Sequence, residues 1–420
     1  MNKTRILGVL ILAVCSAIVV FIVVFMKQKD LDINSENLVS LEQVKNGYED
    51  ELQSARKGKY KNLVIHDFSY SLESIAEIRQ FVLMENRSYE SRSGLENLDK
   101  VMQAIEAYYG DVWKEMPTEL CAFDLEGEAK IFDIDEFKAQ MLDSDTDFQK
   151  YFTIYGEAEG KSERFVQIDS AFSIVWFSNG NLEGRLPSAH YDTVKVYNPT
   201  FSEKEMEESV ELVSGQNVTL NDAVAYVEGY LNENLPFEHN TQWYYEVAEV
   251  RILDVDGKNA LCMKIRRNYN GIPFDYGDSV TTGEYISTYL DEIGEVTITS
   301  LNGVDNFFGL AGTMDQISPD DEGYEKIISL DTALRLLSES IGDNSVYDIY
   351  GIEIVYQLQD LREYDENGLL IESESDEKAR GVPKWKILAR NQNDSKDTWF
   401  YVDMLTGEIT YRYKKIIDGE

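Results

Sequence analysis

Histidine and cysteine are both scarce in this 420-residue chain. The histidines are His66, His190 and His239. None of them stands in the H-E-x-x-H pattern of a zinc peptidase. The cysteines are Cys15, Cys121 and Cys262. The last two lie in strand-like apolar stretches far apart in the sequence, which does not indicate a disulfide framework. Two buried free thiols are expected there, with a single bridge between them as the alternative.

Basic residues are also few: the chain has 39 lysines and arginines but 77 aspartates and glutamates. Its net charge is −38. Phosphate binding needs clustered lysine and arginine, so nucleic acid is not an expected partner. Acidity of this size keeps an exposed protein soluble and monomeric. Recruitment of a basic partner or of cations is the alternative explanation.

The familiar catalytic and cofactor motifs are missing. The sequence contains no G-x-S-x-G elbow, no phosphate loop and no dinucleotide fingerprint. With 77 acidic residues, some pair of carboxylates will fall at any chosen separation, so such pairs indicate nothing. Asp143, Asp145 and Asp147 begin like a calcium loop, but Phe148 stands where the sharp turn needs glycine. We therefore expect no enzymatic activity, no small-molecule cofactor and no metal ion.

One long apolar run extends from Ile6 to Met26 without a charged residue. A helix of about 20 residues crosses a bilayer, and the run is longer than the apolar core of a cleaved signal peptide. No small-residue cleavage site followed by a polar segment appears at its end. Residues 1–29 are therefore predicted to be a cytoplasmic tip and a single transmembrane anchor. The bulk of the chain is expected on the extracellular side of a bacterial cell membrane.

Residues 30–200 are predicted to form an α+β domain. Leu41, Val44, Tyr48 and Leu52 recur every three or four residues, which indicates an amphipathic helix that forms a stalk or docks on this domain. Further helices are predicted over 71–85 and 94–113. Strands are predicted within 164–182, where β-branched and aromatic residues are broken by polar ones. The charged stretch 201–217 is predicted to be a linker or a short surface helix.

The rest of the chain repeats itself, as units 218–327 and 328–420. The first opens with "VTLNDAVAYVEGYLNE" and the second with "ISLDTALRLLSESIGD". Both patterns predict a helix, with Thr219 or Ser329 placed to cap its first amide groups. Each helix leads into a long hairpin, with predicted turns at Asp256-Gly257 and Asn367-Gly368.

The two units also end alike, with "TYLDEIGEVTIT" in the first and "FYVDMLTGEITY" in the second. The residues of this motif are Asp403, Thr406, Gly407 and Glu408, with Asp291, Gly294 and Glu295 as their counterparts. Two carboxylates and a hydroxyl at a turn could form a site. Their recurrence favours a structural corner instead, in which glycine permits positive φ and the polar side chains bond turn amides. The middle of the repeat aligns in two ways, by Gly271–Pro273 with Gly381–Pro383 or by "CMKIRRN" with "WKILARN".

This sequence of elements resembles a PepSY-type unit. Such a unit has a helix that opens on Ser or Thr, a long hairpin, a strand carrying Trp385, and then an Asp and a Thr-Gly turn. The second unit matches with Asp403, Thr406 and Gly407, whereas the first lacks the Thr before Gly294. The resemblance implies α+β modules that bind other proteins.

The larger layout resembles the YycH/YycI family of membrane-tethered regulators, in which one transmembrane helix precedes an exported α+β ectodomain. This resemblance implies a regulatory or sensing protein without enzymatic activity, which contacts a sensor histidine kinase at the cell surface. A modulator or inhibitor of an exported peptidase is the first alternative, since PepSY units play that role in some protease propeptides. A cell-envelope hydrolase is the second alternative.

Overall fold

Two large, mainly antiparallel sheets form the frame of this mixed α+β protein in a computed structural model. The structure describes residues 38–84, 118–123, 129–132, 151–157, 164–169, 175–184, 186–202, 204–234, 243–275, 293–309, 316–319, 323–341, 345–362, 377–393 and 397–413. Within them no helix is both long and apolar enough to cross a membrane. The predicted anchor Ile6–Met26 lies outside the described residues, as do the predicted helix 94–113 and the Asn367-Gly368 turn.

The described strands are numbered in chain order. The first eleven are β1 (Leu38–Val39), β2 (Leu63–Ile65), β3 (Phe81–Met84), β4 (Thr118–Phe123), β5 (Ala129–Phe132), β6 (Tyr151–Glu157), β7 (Arg164–Asp169), β8 (Val175–Asn179), β9 (Thr193–Tyr197), β10 (Ser209–Glu211) and β11 (Asn217–Thr219). The others are β12 (Trp243–Val255), β13 (Lys258–Tyr269), β14 (Ile272–Pro273), β15 (Ile293–Ile298), β16 (Asn306–Gly309), β17 (Gln316–Pro319), β18 (Ile327–Ile328), β19 (Tyr347–Asp360), β20 (Glu377–Asn391), β21 (Asp397–Asp403) and β22 (Ile409–Tyr413). The described helices are α1 (Leu41–Arg56), α2 (Pro187–His190), α3 (Leu220–Asn234) and α4 (Leu330–Ile341).

The first sheet has 11 strands in the order β5-β4-β6-β7-β8-β16-β15-β13-β12-β9, with β14 paired to β13. The second has seven, with β17-β3-β20-β19-β2 as its main path and β21 and β22 continuing from β20. Strand β19 pairs with β2 in parallel, while its pairing with β20 is antiparallel. The long hairpin predicted for the first unit is β12 with β13 in the first sheet. In the second sheet β19 pairs with β20, and the arm predicted directly after Asn367-Gly368 lies outside the described residues.

Local sequence patterns account for the helix ends and for one hairpin turn. The Thr219 hydroxyl accepts a hydrogen bond from Asp222 N, and the Ser329 hydroxyl accepts one from Thr332 N, which confirms both predicted caps. The β12–β13 hairpin turns at Asp256 and Gly257, whose φ angles are 53° and 81°. Positive φ at both central positions is typical of a type I′ turn, and this prediction is also confirmed.

The N-terminal residues contribute to both sheets. Strands β6, β7 and β8 extend the first sheet, while β2 and β3 belong to the second. The predicted amphipathic helix is confirmed as α1, with Val44, Tyr48 and Leu52 buried. It packs beside α4 on the second sheet, where the Tyr48 ring stacks on Trp385 at 6.3 Å between centroids.

The helix predicted over 71–85 is wrong. Leu72, Ile75 and Ile78 are buried at the expected spacing, but they lie in irregular backbone. The segment then becomes β3, which pairs with β17 and β20. Phe81 of this strand is fully buried against Tyr269, Phe274 and Tyr356, with ring centroids 4.9 to 5.2 Å away. Pairing and aromatic packing with distant residues override the local helical spacing.

The charged stretch after β9 is ordered around one apolar residue. A 3₁₀ turn covers Glu205–Glu207, and Met206 is buried within it. Strands β10 and β11 then form a small hairpin that delivers the chain to α3. A predicted linker therefore includes a turn and a hairpin that pack against the first sheet.

Candidate functional site

The predicted turn motif of the second unit forms the corner between β21 and β22. One carboxylate oxygen of Asp403, Oδ1, accepts hydrogen bonds from Leu405 N and Thr406 N, both at 2.9 Å. Gly407 has a φ of 69°, and its N–H donates to the Asp403 carbonyl oxygen. The Thr406 hydroxyl accepts from Glu408 N at 3.3 Å. These four residues therefore satisfy one another's backbone groups, as residues of a structural turn do.

The corresponding residues of the first unit have a different environment. Gly294 and Glu295 lie inside β15 and not at a turn, with Gly309 and Phe308 as cross-strand partners. The Glu295 carboxylate accepts a hydrogen bond from the Ser188 hydroxyl at 2.6 Å. Asp291 lies outside the described residues. The two motifs are therefore similar in sequence but differ in structural position. Strand pairing, and not the local sequence, determines the position of β15.

Buried charged side chains lie between the two sheets. Arg266 on β13 bonds Glu246 through Nε at 2.8 Å, and its Nη2 lies 3.1 Å from Glu353 Oε2 on β19. Lys386 Nζ on β20 lies 2.7 Å from Asp275 Oδ1 and 3.5 Å from Glu353 Oε1. We call these five residues the ionic layer. Apart from Glu246, none has a side chain more than 3% exposed.

The charges of the ionic layer stabilise one another's ionised forms. Burial opposes ionisation of Asp275, but Lys386 and Arg412 outweigh it and hold the pKa of that carboxyl below its usual range. Burial, followed by the Asp275 charge, raises the pKa of Tyr401 well above its usual value. The Lys386 ammonium also lies 4.3 Å from the centre of the Trp399 ring. A buried charge that loses its partner is very costly, so the layer holds the two sheets in one arrangement.

A cleft of about 600 Å³ lies where the two sheets meet the segment after α1. From the second sheet it is lined by Tyr350, Leu388 and Trp399, and from the segment after α1 by Phe68. The Phe68 ring packs edge-on against Phe201, another lining residue, at 5.9 Å between centroids. One part of the cleft wall is therefore apolar and aromatic, and the cleft is large enough to bury a ligand group or a side chain.

Two of the five charged side chains that line the cleft, Glu249 and Arg56, are held by neighbouring groups. Glu249 lies 2.7 Å from Arg251 Nε and 3.7 Å from Lys264 Nζ. Arg56 donates to the Phe68 carbonyl oxygen at 2.8 Å, and its guanidinium lies 5.3 Å from the centre of that ring. Charges held in this way can orient a bound group. The cleft is chemically suited to binding.

One of the two outermost strands of the first sheet, β9, reaches the cleft. Its residues Val196 and Tyr197 line the cleft, as does Asn198 just beyond the strand. Successive side chains of a strand point to opposite faces of the sheet. A cleft that touches adjacent residues must therefore run along the edge or the end of the strand and not along one face.

The neighbouring edge of β12 is closed by side chains of α3. The Asn232 amide donates to the Tyr245 carbonyl oxygen and accepts from Tyr245 N, both at 2.8 Å. Glu228 accepts from Val247 N at 2.8 Å. Burial raises the pKa of Glu228 to about 7. A helix thus supplies the hydrogen bonds that another strand would make, which leaves β9 as the uncovered part of this edge within the described residues.

The other candidate residues take ordinary positions. His66 pairs with Asp348 at 2.9 Å and His190 with Glu183 at 3.0 Å, both at the surface. Cys262 is a buried free thiol, and burial raises its pKa well above the usual value. No cluster of three potential metal ligands occurs in the described part of the chain. His239, Cys15 and the aspartates 143, 145 and 147 lie outside the described residues.

Sequence reasoning missed both the ionic layer and the cleft. One pattern could have indicated the layer, because Lys384 and Lys386 alternate with Trp385 and Ile387 along β20. Such alternation predicts a strand with one apolar and one charged face. All four residues are nevertheless buried, so the charged face is covered as well. No local pattern indicates what covers it.

Comparisons with known proteins give only weak similarities. No protein-family model matches the chain, and no curated protein matches it. A structure of an uncharacterized protein from Eubacterium rectale shares 10% identity at a TM-score of 0.47, and the alignment covers 86% of this chain and 98% of that one. The Bacillus megaterium YpeB C-terminal domain shares 11% identity at a TM-score of 0.34, covering 76% and 97%. At these scores neither structure establishes a common fold or a function.

Proposed function

We propose that this chain is a membrane-anchored binding protein without enzymatic activity, and that it regulates or senses by contact with another protein at the cell surface. The cleft between the two sheets, with the exposed strand β9 at its edge, is the observation that carries this proposal. Four of the five residues of β9 are exposed. An uncovered strand beside a cleft with an apolar wall is a common place for a partner polypeptide to bind.

The electrostatics of the described residues support binding over catalysis. The carboxylates of the ionic layer are paired with arginine or lysine, and Glu249 in the cleft is paired with Arg251 and Lys264. A catalytic pair of carboxylates instead needs environments that separate their pKa values, so that one stays protonated while the other is ionised. The paired arrangement suits a rigid recognition surface.

The membrane anchor and the identity of the partner are further parts of the proposal. The charge-free run Ile6–Met26 supports a single transmembrane helix. The resemblance of the layout to the YycH/YycI family makes a sensor histidine kinase the first candidate partner. The resemblance of the second unit to PepSY modules makes an exported peptidase the second candidate.

Site-specific photo-crosslinking in native membranes tests this proposal with a matched control. A photoreactive residue replaces Val196 on β9 in one variant and Val64 on β2 in the other. Both valines are about equally exposed, at 42% and 41%, but only Val196 lines the cleft. We expect a discrete protein adduct from position 196 and little or none from position 64. Absence of an adduct at 196, or equal adducts at both positions, contradicts the proposal.

The recovered partner distinguishes the candidate functions. A histidine kinase in the adduct supports the regulatory role, and an exported peptidase supports modulation of proteolysis. Release of sugars or peptides from purified cell wall by the isolated protein would instead favour the third candidate, a cell-envelope hydrolase.

A further inference from the structure

Strand β9 is an edge strand with a register irregularity at Val194 and two exposed valines. Among the described strands it pairs with β12 alone, through the register Tyr197 with Val250 to Thr193 with Leu253. Natural edge strands are commonly guarded by an outward lysine, by proline or by a covering element. Val194 and Val196 on β9 are instead 57% and 42% exposed. They are two of the few large apolar side chains that the described residues expose.

The one lysine of β9 is paired with a carboxylate of the segment that follows the strand. The Lys195 ammonium lies 2.7 Å from Glu208 Oε1, and Glu208 also accepts a hydrogen bond from the Tyr197 hydroxyl. Lys195 and Tyr197 point to the same face, because they are two residues apart. Their contacts with Glu208 anchor β9 to the segment that follows it, while Val194 and Val196 stay exposed.

The sheet does protect the adjacent part of the same edge. Asn232 and Glu228 of α3 take up the backbone groups of Tyr245 and Val247, as described above. Side-chain bonds of this kind stop an incoming strand from pairing there. The contrast with β9 restricts strand addition along this edge of the first sheet to β9, with the cleft directly beside it.

The surroundings of β9 are acidic. The stretch 192–211 holds six acidic residues and two lysines, and the chain as a whole carries a net charge of −38. One of the two lysines, Lys195, is already paired with Glu208. Of the exposed charged residues that line the cleft, Asp67 and Glu205 are acidic and Lys204 is basic. A complementary partner segment therefore carries basic side chains.

From these observations we infer that β9 accepts an extended, basic segment of a partner protein as an additional strand. Backbone groups of the segment bond the outer edge of β9, and one large apolar side chain enters the cleft against Leu388 and Trp399. Lysine or arginine residues on the segment face the acidic surroundings. This inference rests on the proposed function and specifies the chemistry of its partner.

Three synthetic heptapeptides test the inference on the full-length chain in detergent micelles. The first alternates lysine with valine and has phenylalanine at its centre. The second has the same side chains but carries N-methyl groups on alternate residues, which removes the backbone N–H donors from one edge of the peptide. The third replaces every lysine with glutamate. Binding is measured by the change in tryptophan fluorescence, since the peptides contain no tryptophan and Trp399 lines the cleft.

We expect the first peptide to bind and each of the others to bind at least about tenfold more weakly, since each loses hydrogen bonds or charge complementarity. Val196→Lys should weaken binding of the first peptide by a similar factor, whereas Val64→Lys on β2 should not change the affinity for that peptide. Equal binding of the N-methylated peptide overturns strand addition, and equal binding of the glutamate peptide overturns the preference for a basic segment.

The outcome separates this inference from the proposed function. If no heptapeptide binds while the photoreactive residue at position 196 still captures a partner, the inference fails and the proposed function stands. If neither the peptides nor the crosslinking give binding, both fail. Melting curves of both valine variants show whether either substitution has unfolded the protein.

Discussion

Arg266 on one sheet and Glu353 on the other form a buried ion pair with 3.1 Å between Nη2 and Oε2. Their side chains are 2% and 1% exposed. The pair links two sheets that come from different parts of the sequence. Because both charges have left water, each depends on the other and on the neighbouring members of the ionic layer.

Arg266→Met should therefore lower the free energy of unfolding by about 3 to 5 kcal/mol, since it leaves Glu353 with one fewer positive neighbour in a buried site. Urea unfolding of the full-length chain in mild detergent measures this change. Arg335→Met is the matched control, because Arg335 pairs with Glu339 at the surface of α4. It should change the free energy by less than about 1 kcal/mol. Similar losses in both variants would mean that the buried pair has no special role.

Glu228 should make the stability depend on pH. Its pKa is raised from 4.5 to about 7, so the folded state holds a proton that the unfolded state releases. The stabilisation that protonated Glu228 contributes is therefore complete below about pH 4.5 and is lost as the pH rises through 7. Glu228→Gln keeps an oxygen that can accept from Val247 N but cannot ionise.

The variant should melt at the same temperature as the parent near pH 5 and at a higher temperature near pH 8. Glu233→Gln, at an exposed position of the same helix, is the control. Thermal unfolding across this pH range provides the measurement. A difference between the Glu228 variant and the parent that does not change with pH would contradict the raised pKa.

Gly381 on β20 should not tolerate a side chain. A Cβ atom at this position would lie 2.2 Å from the Phe81 ring, which is already enclosed by aromatic neighbours. Gly381→Ala should cost about 1 to 3 kcal/mol of stability through overpacking. Gly229→Ala provides the opposite control, because nothing lies within 4 Å of the added carbon in the middle of α3. That substitution should stabilise the protein by about 0.5 to 1 kcal/mol.

Gly407 should be required at the β21–β22 corner. Its φ of 69° belongs to the left-handed region, which a β-branched residue rarely adopts. Gly407→Val should therefore cost about 1 to 2 kcal/mol and lower the melting temperature. Gly407→Asn should cost less, because asparagine tolerates this region. If Gly407→Val and Gly407→Asn melt at the same temperature, the positive φ is not what makes glycine necessary here.

Asp403→Asn should leave partner capture by the photoreactive residue at position 196 intact, since Asp403 serves the turn.

Much of the local structure follows from short-range patterns. The spacing of Val44, Tyr48 and Leu52 predicts α1, and the caps at Thr219 and Ser329 predict where α3 and α4 begin. These predictions succeed because a helix turn and its cap involve residues that are close in sequence. The candidate site does not follow in this way. The cleft gathers residues from Arg56 to Trp399, and no single stretch contains enough of it to be recognised.

Other features depend on contacts between distant segments. The apolar spacing between Leu72 and Ile78 suggests a helix, but the pairing of β3 with β17 and β20 makes the following residues a strand. The similar motifs around Gly294 and Gly407 suggest equivalent corners, but Gly294 is drawn into β15 between β13 and β16. In both cases long-range backbone hydrogen bonds and core packing outweigh the local preference.

The sequence by itself determined the α+β class, the helix caps, the type I′ turn at Asp256-Gly257 and the acidity of the surface. Each of these depends on composition or on residues a few positions apart. Only the tertiary structure decided that the charged face of β20 is buried against the first sheet, that α3 closes the edge of β12, and that β9 is left exposed beside the cleft. The physical reason is that a strand's sequence specifies two faces, whereas the element that covers each face or edge comes from elsewhere in the chain.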